Sequence, residues 1–215
     1  MASARPRGQI PTPQGLQLIA RSFGKLPFRT RPIVVVEIRE NLVQREGVNT
    51  ALDLPDSDLN ASERKFLSVI REHGWFNTRV FDPELKEPDF SYSTGFFSSV
   101  GFPEIIVFSL PKQVSHDILW DMYRDVSEGK APPKATKVSG IFGRHQAVLL
   151  PVSTTACDEH LGWARWFYRG SDFPCLQLIW PDREGLFPWD VGFDPEFAEK
   201  QPDLTEEGWN RLIIK

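Results

Sequence analysis

The chain has 215 residues, of which 40% are hydrophobic and 25% charged, and its formal net charge is −4. This length is enough for one full hydrophobic core, and the small negative charge argues against bulk binding of nucleic acid through phosphates. No apolar run approaches the roughly 20 residues that span a bilayer, and residues 1–8 are without the apolar region of a signal peptide, so we expect a cytoplasmic protein without a membrane partner.

The amino-terminal part of the chain has the composition of a segment without its own core. Residues 1–31 are rich in Pro, Arg and Gly, which predicts an arm that is either disordered or docked on the rest of the chain. A β-branched run at 33–38 then predicts a strand, and the polar stretch 39–59 predicts a loop. We therefore expect the arm at 1–31, a single domain at 32–193 and a tail at 194–215.

Three segments carry the signals of helices. Residues 60–63 fit a capping box at a helix start, and Gly74 fits the position after its end. A third helix is predicted at about 158–168, with Asp158 as its N-cap. Between them, residues 112–128 have helical periodicity. The predicted buried face of this middle helix consists of Val114, Ile118, Leu119, Met122, Tyr123 and Val126.

The remaining segments predict a sheet. Between residues 90 and 110, a hydroxyl-rich turn occurs together with sheet-forming runs. Strands are also predicted at 75–81, 137–142, 145–152 and 174–180. The sum is an α+β fold, with a mostly antiparallel sheet of about six strands and about three helices packed on it. Since the chain contains seven Trp and sixteen Phe, we expect an aromatic-rich core.

Four blocks of sequence occur in a fixed order, and together they are fairly specific. They are His-Gly-Trp at 73–75, Phe-Ser-Tyr-Ser-Thr-Gly at 90–95, the run from Phe to Leu at 102–110, and the run from Gln to Trp at 177–189. This succession resembles the bacterial family designated domain of unknown function 4262, over about residues 66–193. The family pattern has Tyr-Thr-x-Gly-Leu at the turn, where this chain has Tyr-Ser-Thr-Gly-Phe. The resemblance implies a fold and a site location, and no reaction.

The turn at Ser93, Thr94 and Gly95 has two interpretations. It can present hydroxyls and backbone amides to an anion such as a phosphate. Alternatively, it is a strand end whose Ser and Thr side chains hydrogen-bond to their own backbone. A Gly-rich phosphate loop has several glycines and a Lys in fixed spacing, and this turn has neither.

Cysteines and histidines give no metal or disulfide framework. Cys157 and Cys175 are without CxxC spacing, which favours two reduced thiols. The histidines at 73, 116, 145 and 160 are without metal-ligand spacing, so no metal is expected, and His73 is predicted at a helix C-terminus. A thiol that precedes a helix has a lowered pKa, but a bystander Cys157 beside an Asp158 cap is the favoured interpretation.

Several residues at element ends are candidates for ligand contacts. Arg144 and His145 lie at a predicted hairpin, where a cation and an imidazole can meet an anionic group, although exposure at a hairpin tip explains them equally well. Asp182 and Gly185 fit a type I turn. Trp180, before this turn, is a candidate ligand contact. The aromatic run after the turn, Leu-Phe-Pro-Trp at 186–189, either stacks on a planar ligand or belongs to the core.

Two hypotheses for function follow. The first is a recognition protein that binds a macromolecular partner or a small ligand without turnover, a toxin-neutralising immunity protein being one form. The second is an enzyme with a flavin mononucleotide site like that of the split β-barrels. The contacts to the flavin would come from Tyr92, Ser93, Thr94, Arg144 and Trp180.

If the chain has a functional pocket, its ligand is expected to have an anionic group and a planar part. We expect this pocket where the turn at 92–95 approaches the strand end at 180–182, with Arg144 or His145 nearby. The side chains of Tyr92, Arg144 and Trp180 should then line a single cavity of a few hundred Å³.

Overall fold

The computed structural model describes residues 48–84 and 86–209. The predicted arm at 1–31, the predicted strand at 33–38 and the last residues of the predicted tail, 210–215, lie outside the described residues. The predicted loop at 39–59 lies within them only from residue 48 onward.

A six-stranded mixed sheet forms the centre of the described chain. Its strands are β1 Phe76–Val80, β2 Phe90–Thr94, β3 Glu104–Phe108, β4 Lys137–Phe142, β5 His145–Pro151 and β6 Cys175–Ile179. The spatial order is β1-β2-β3-β6-β5-β4. Strands β3 and β6 are parallel, whereas every other neighbouring pair is antiparallel. The predicted α+β fold with a mostly antiparallel sheet is confirmed.

Helices connect these strands. They are α1 Ala61–His73, α2 Phe96–Val100, α3 Lys112–Ser127, α4 Thr154–His160, α5 Gly162–Phe167 and α6 Pro195–Ala198. Two 3₁₀ turns, Ala51–Asp53 and Asp56–Asp58, precede α1. The short helices α2 and α6 were not predicted, because a segment of one turn has no periodicity to read. None of the described helices is long and apolar enough to cross a bilayer.

Helix α1 has the predicted caps. Asn60 Oδ1 accepts hydrogen bonds from the backbone N–H groups of Ser62 and Glu63, at 2.9 and 3.0 Å. In return Glu63 Oε2 accepts from the backbone N–H of Asn60 at 2.7 Å. Gly74, with φ of +82°, ends the helix in the left-handed conformation. His73 is the last helical residue, as predicted.

The helix predicted at 158–168 begins earlier and is divided in two. Ser153 caps α4 by accepting from the backbone N–H of Ala156 at 3.2 Å, so the predicted Asp158 cap is wrong. Asp158 lies inside α4 and pairs with Arg165, 3.1 Å away. Cys157 also lies inside the helix rather than before it. A serine five residues upstream gives the same capping signal as an aspartate, which explains the displaced start.

The two faces of the sheet pack against different helices. Face A is the side of the sheet that carries Tyr92, Ile106, Phe108 and Cys175, and it packs against Phe66, Leu67 and Ile70 of α1 and Trp163 and Phe167 of α5. Face B is the side that carries Ile105, Val107, Leu176, Leu178 and Trp180, and it packs against Ile118, Leu119 and Met122 of α3. Both layers are rich in aromatic rings, as the composition predicted.

One residue of the predicted α3 face was placed wrongly. Val114 is 42% exposed, whereas its neighbour Ser115 is 1% exposed. Ser115 Oγ lies 3.0 Å from Ser91 Oγ of β2, so this hydrogen-bonded pair occupies the position facing the sheet. The apolar residue beside it is left at the surface because the first turn of α3 meets the sheet through a polar contact.

Replacing Leu119 tests the packing of α3. Leu119 is fully buried on face B, so Leu119→Ala is expected to lower the free energy of unfolding by about 2–5 kcal/mol. The matched control Val114→Ala removes an exposed side chain of the same helix and should change it by less than about 0.5 kcal/mol. Urea denaturation measures both values, and similar losses in the two variants would show that the helix face is assigned wrongly.

Candidate ligand-binding site

A buried glutamate organises one end of the sheet. Glu104, the first residue of β3, is fully buried. Its Oε2 accepts from Ser93 Oγ at 2.5 Å, and its Oε1 accepts from the backbone N–H groups of Gly95 and Phe97 at 2.9 and 3.1 Å. The hydroxyl of Tyr168 also donates to Oε1. All four neighbours are donors, so the carboxyl group acts as an acceptor throughout.

The ionisation of this site reflects opposing effects. Burial raises the pKa of Glu104 above its ordinary value, and its four hydrogen-bond donors oppose the rise. Burial, reinforced by the nearby charge of Glu104, raises the pKa of Tyr168 well above its usual range. Tyr168 therefore stays protonated as a donor, and its oxygen accepts from the backbone N–H of Ser98 at 3.3 Å.

The hydroxyl-rich turn does meet an anionic group, but the group is internal. Ser93 and Gly95 donate to the carboxyl group of Glu104, and Ser93 Oγ also accepts from the backbone N–H of Ile105 at 2.9 Å. Thr94 is buried, and its hydroxyl has no hydrogen-bond partner among the described residues. An external phosphate would find the donors of Ser93 and Gly95 already engaged.

A surface cavity of about 600 Å³ lies beside this buried group. It will be called the first cavity. It is lined by Val48, Asn49, Phe97, Thr154, Tyr168, Ser171, Asp172, Phe173 and Pro174. Two of its wall residues, Phe97 and Tyr168, also donate hydrogen bonds to Glu104. Its volume lies in the range of typical small-ligand pockets.

A second cavity of about 260 Å³ adjoins the first. The two share Thr154, Ser171, Phe173 and Pro174. The second cavity is also lined by Pro103, Lys134, Pro151, Val152, Cys157, Cys175 and Leu176. Because their walls are shared, the two cavities together are called the cleft. It lies where β3 and β6 begin and β5 ends.

The cleft combines aromatic surface with separated charges. The rings of Tyr168 and Phe173 stack with centroids 4.8 Å apart, and Phe97 lies 6.2 Å from Tyr168. Lys134 lines the second cavity, is exposed and forms no ion pair within the described part of the chain. Asp172, of opposite charge, lines the first cavity. Such a surface can hold a planar group against the rings and an anion near the lysine.

Tyr92 and Trp180, two of the predicted ligand contacts, are core residues. Tyr92 is fully buried on face A, where its hydroxyl accepts from the backbone N–H of Trp163 at 3.1 Å, and burial raises its pKa to about 12. Trp180 lies on face B, and its Nε1–H donates to the carbonyl of Phe108 at 3.0 Å. In the aromatic run after the turn, Phe187 is buried in a core cluster, which agrees with the core interpretation of that run.

The other predicted contacts occupy two separate turns. Arg144 is exposed and His145 half-buried at the hairpin between β4 and β5. Asp182 forms the predicted turn, in which Gly185 N–H donates to the Asp182 carbonyl at 3.1 Å. Burial acts to raise the pKa of Asp182, but hydrogen bonds from backbone N–H groups, including that of Leu186, outweigh it and lower the pKa.

The predicted pocket shared by Tyr92, Arg144 and Trp180 is therefore wrong. Successive strand residues alternate between the two faces of a sheet, and the sheet separates Tyr92 from Trp180. The proposed flavin contacts are separated in the same way. Of the predicted site residues, Ser93 contacts the Glu104 carboxyl group behind the cleft. A ligand role for Thr94, Arg144, His145 and Asp182 stays a prediction.

The residues that form the cleft were largely missed by the sequence analysis. Glu104 had one available signal, because it is a charged residue inside the strongly apolar run 102–110. A charge in such a run is buried only when it is paired or hydrogen-bonded. Its partner Tyr168 had no comparable signal. Within the residues that the structure describes, no three His, Cys, Asp or Glu side chains lie close enough to hold a metal ion.

The family model described as domain of unknown function (DUF4262) matches residues 69–194, more than half of the chain. The chain belongs to this family. The matched range contains all six strands, together with Glu104 and Tyr168, so the buried hydrogen-bonded group lies inside the family domain. The resemblance seen in the sequence blocks is confirmed. No curated protein and no solved structure matches the chain.

Proposed function

We propose that this protein is a cytoplasmic recognition protein that binds a small, planar, anionic ligand in the cleft without chemical turnover. The observation that carries the proposal is the first cavity of about 600 Å³, whose aromatic wall is braced by the buried Glu104. Rigid aromatic walls with a few polar groups are typical of small-ligand sites.

The ligand class follows from the distribution of charge and aromatic surface. Tyr168 and Phe173 present a stacked pair of rings in the first cavity, which suits a flat apolar body. Lys134 supplies an exposed cation at the second cavity, where an anionic group gains a charge-assisted contact. Asp172 lines only the first cavity, so the charge of the ligand is expected on the lysine side.

Binding without turnover is supported by the state of the two buried acid–base groups behind the cleft. A general acid or base must exchange a proton with the bound substrate. The Glu104 carboxyl group is fully buried and accepts from four protein donors. The Tyr168 hydroxyl donates to Glu104 and accepts from Ser98. Both groups hold the wall of the cleft in place and are not offered to a ligand.

A pair of neighbouring threonines provides the test. Thr154 and Thr155 are both exposed in the first turn of α4, but only Thr154 lines the cleft. With anilinonaphthalene sulfonate as a planar anionic probe, Thr154→Trp is expected to weaken binding by about tenfold or more, since the indole occupies both cavities. Thr155→Trp should leave binding unchanged. Fluorescence titration measures both, and equal binding to the two variants would overturn the proposal.

The charge of the ligand is tested with two further variants. Lys134→Gln is expected to weaken binding of the same probe, and Asp172→Asn to leave it unchanged or strengthen it. Weaker binding by Asp172→Asn together with unchanged or tighter binding by Lys134→Gln would contradict the proposal of an anionic ligand. The absorbance spectrum of the purified protein tests the enzyme alternative, because a retained flavin band would overturn binding without turnover.

A further inference from the structure

The two cysteines of the chain meet in the second cavity. The chain contains only Cys157 and Cys175, and both are free, buried and part of the lining of this cavity. Cys157 belongs to α4, whereas Cys175 is the first residue of β6. Two thiols from different elements thus border one small space beside the ligand cleft.

The backbone explains why these two residues come together. The carbonyl of Cys175 accepts from the backbone N–H of Val152 at 3.0 Å, which fixes the end of β5 beside the start of β6. Ser153 follows directly and caps α4, and its carbonyl accepts from the backbone N–H of Cys157 at 3.0 Å. One helical turn therefore connects the hydrogen-bonded neighbour of Cys175 to Cys157. This proximity is built into the fold rather than left to flexible loops.

The environments of the two thiols differ. A hydrogen bond from Cys175 lowers the pKa of Cys157, against the effects of burial and of the neighbouring Asp158. Burial raises the pKa of Cys175 well above its usual range, and the Cys157 and Glu104 charges add to the rise. Cys157 is accordingly the thiol with more thiolate character, and Cys175 remains a protonated donor beside it.

We propose that Cys157 and Cys175 are an oxidisable thiol pair, which a small hydroperoxide converts into an intramolecular disulfide at the cleft. The Cys157 thiolate attacks the hydroperoxide, its sulfur takes the distal oxygen, and hydroxide or alkoxide leaves. The Cys175 sulfur then attacks the Cys157 sulfenic acid, forms the S–S bond and releases water. The two thiols lose two electrons, and the peroxide bond gains them.

The size and position of the second cavity suit this reaction. A space of about 260 Å³ admits a hydroperoxide as small as hydrogen peroxide. A bulky disulfide such as oxidised glutathione would have to fit the same small space. The loop that the new bond closes, residues 158–174, carries Tyr168, Phe173 and Pro174 of the cleft wall. Oxidation thereby joins Cys157 and Cys175, the residues that flank this loop, by a covalent bond.

The experiment uses the full chain and hydrogen peroxide. After oxidation, the protein is denatured, its free thiols are alkylated, and the products are identified by mass spectrometry. We expect both thiols to be lost together, a peptide pair linked through Cys157 and Cys175, and recovery of both thiols with dithiothreitol. Closing a loop of this length should also raise the thermal midpoint by roughly 5–10 °C.

Two variants assign the order of the steps. In Cys175→Ser, oxidation is expected to stop at a sulfenic acid on Cys157, which dimedone captures. In Cys157→Ser, the remaining thiol of Cys175 is expected to react with hydrogen peroxide more slowly than the Cys157 thiol does. The wild-type measurement stands even if a variant fails to fold. The proposal is overturned if the two thiols oxidise independently to sulfinic acids, if the disulfide forms between molecules, or if the same pairing forms equally fast in guanidinium chloride.

Discussion

Glu104→Ala is expected to lower the free energy of unfolding by about 4 kcal/mol or more. The substitution leaves the buried donors of Ser93, Gly95 and Tyr168 without their acceptor, and each unsatisfied group costs about 1–3 kcal/mol. It also leaves a cavity between β3 and α5, which adds to the loss. Chemical denaturation followed by tryptophan fluorescence measures the change.

Milder substitutions should give a graded series. Glu104→Gln keeps the shape and one acceptor oxygen, so a smaller loss of about 1–3 kcal/mol is expected. Tyr168→Phe removes a single donor. In the double variant Glu104→Gln with Tyr168→Phe, the loss of unfolding free energy should differ from the sum of the two single losses by about 1 kcal/mol, because the two groups contact each other. Glu199→Ala, on an exposed glutamate, is the control and should be nearly neutral. A loss below about 1 kcal/mol for Glu104→Ala would contradict its role as an anchor.

The elements that were predicted correctly are specified by neighbouring residues. The capping box at 60–63 and Gly74 define α1 through contacts within a few positions. The hairpin of β4 and β5 is likewise fixed by a short turn at Gly143 and Arg144. Local signals of this kind act through the backbone hydrogen bonds of one turn, so the sequence alone shows them.

The two faces of the sheet were harder to predict. Every residue of β3 and β6, and every residue of β2 after the first, is buried, because helices cover both sides. Strands of this kind have no alternation of polar and apolar residues from which to read the face. The sequence therefore gave no sign that Tyr92 faces α5 while Trp180 faces α3. The predicted single pocket combined residues from both sides for that reason.

The candidate site depends on contacts between distant parts of the chain. Glu104 and Tyr168 are 64 positions apart, and Cys157 and Cys175 come together because β5, which leads into α4, pairs with β6. The parallel pairing of β3 with β6 brings Glu104 opposite Cys175. No local pattern specifies such a pairing, since the residues that enforce it lie far apart in sequence. Anion binding was one of the two interpretations of the turn at Ser93 and Gly95, and the sequence did not show that the carboxyl group of Glu104 would be its partner.

Gly95→Ala is expected to destabilise the protein by about 3 kcal/mol or more. Gly95 has φ of +112°, in a region that costs other residues about 1–2 kcal/mol. An added Cβ would also lie 2.5 Å from the Gly74 carbonyl oxygen and 3.0 Å from the Trp75 Cα. These are backbone atoms, so relief requires a shift of the β2–α2 turn, at an overpacking cost of about 1–3 kcal/mol. That shift would move the N–H that donates to Glu104.

Gly129→Ala separates the two contributions to this loss. Gly129 also has a positive φ, +79°, but an added Cβ there would have no atom within 4 Å. Its substitution should therefore cost only the conformational term, about 1–2 kcal/mol. The difference between the two variants measures how closely β2 approaches the end of α1, because only Gly95 contacts that backbone. Equal losses at Gly95 and Gly129 would mean that the turn relaxes freely, and a turn that relaxes freely cannot hold its amides fixed on Glu104.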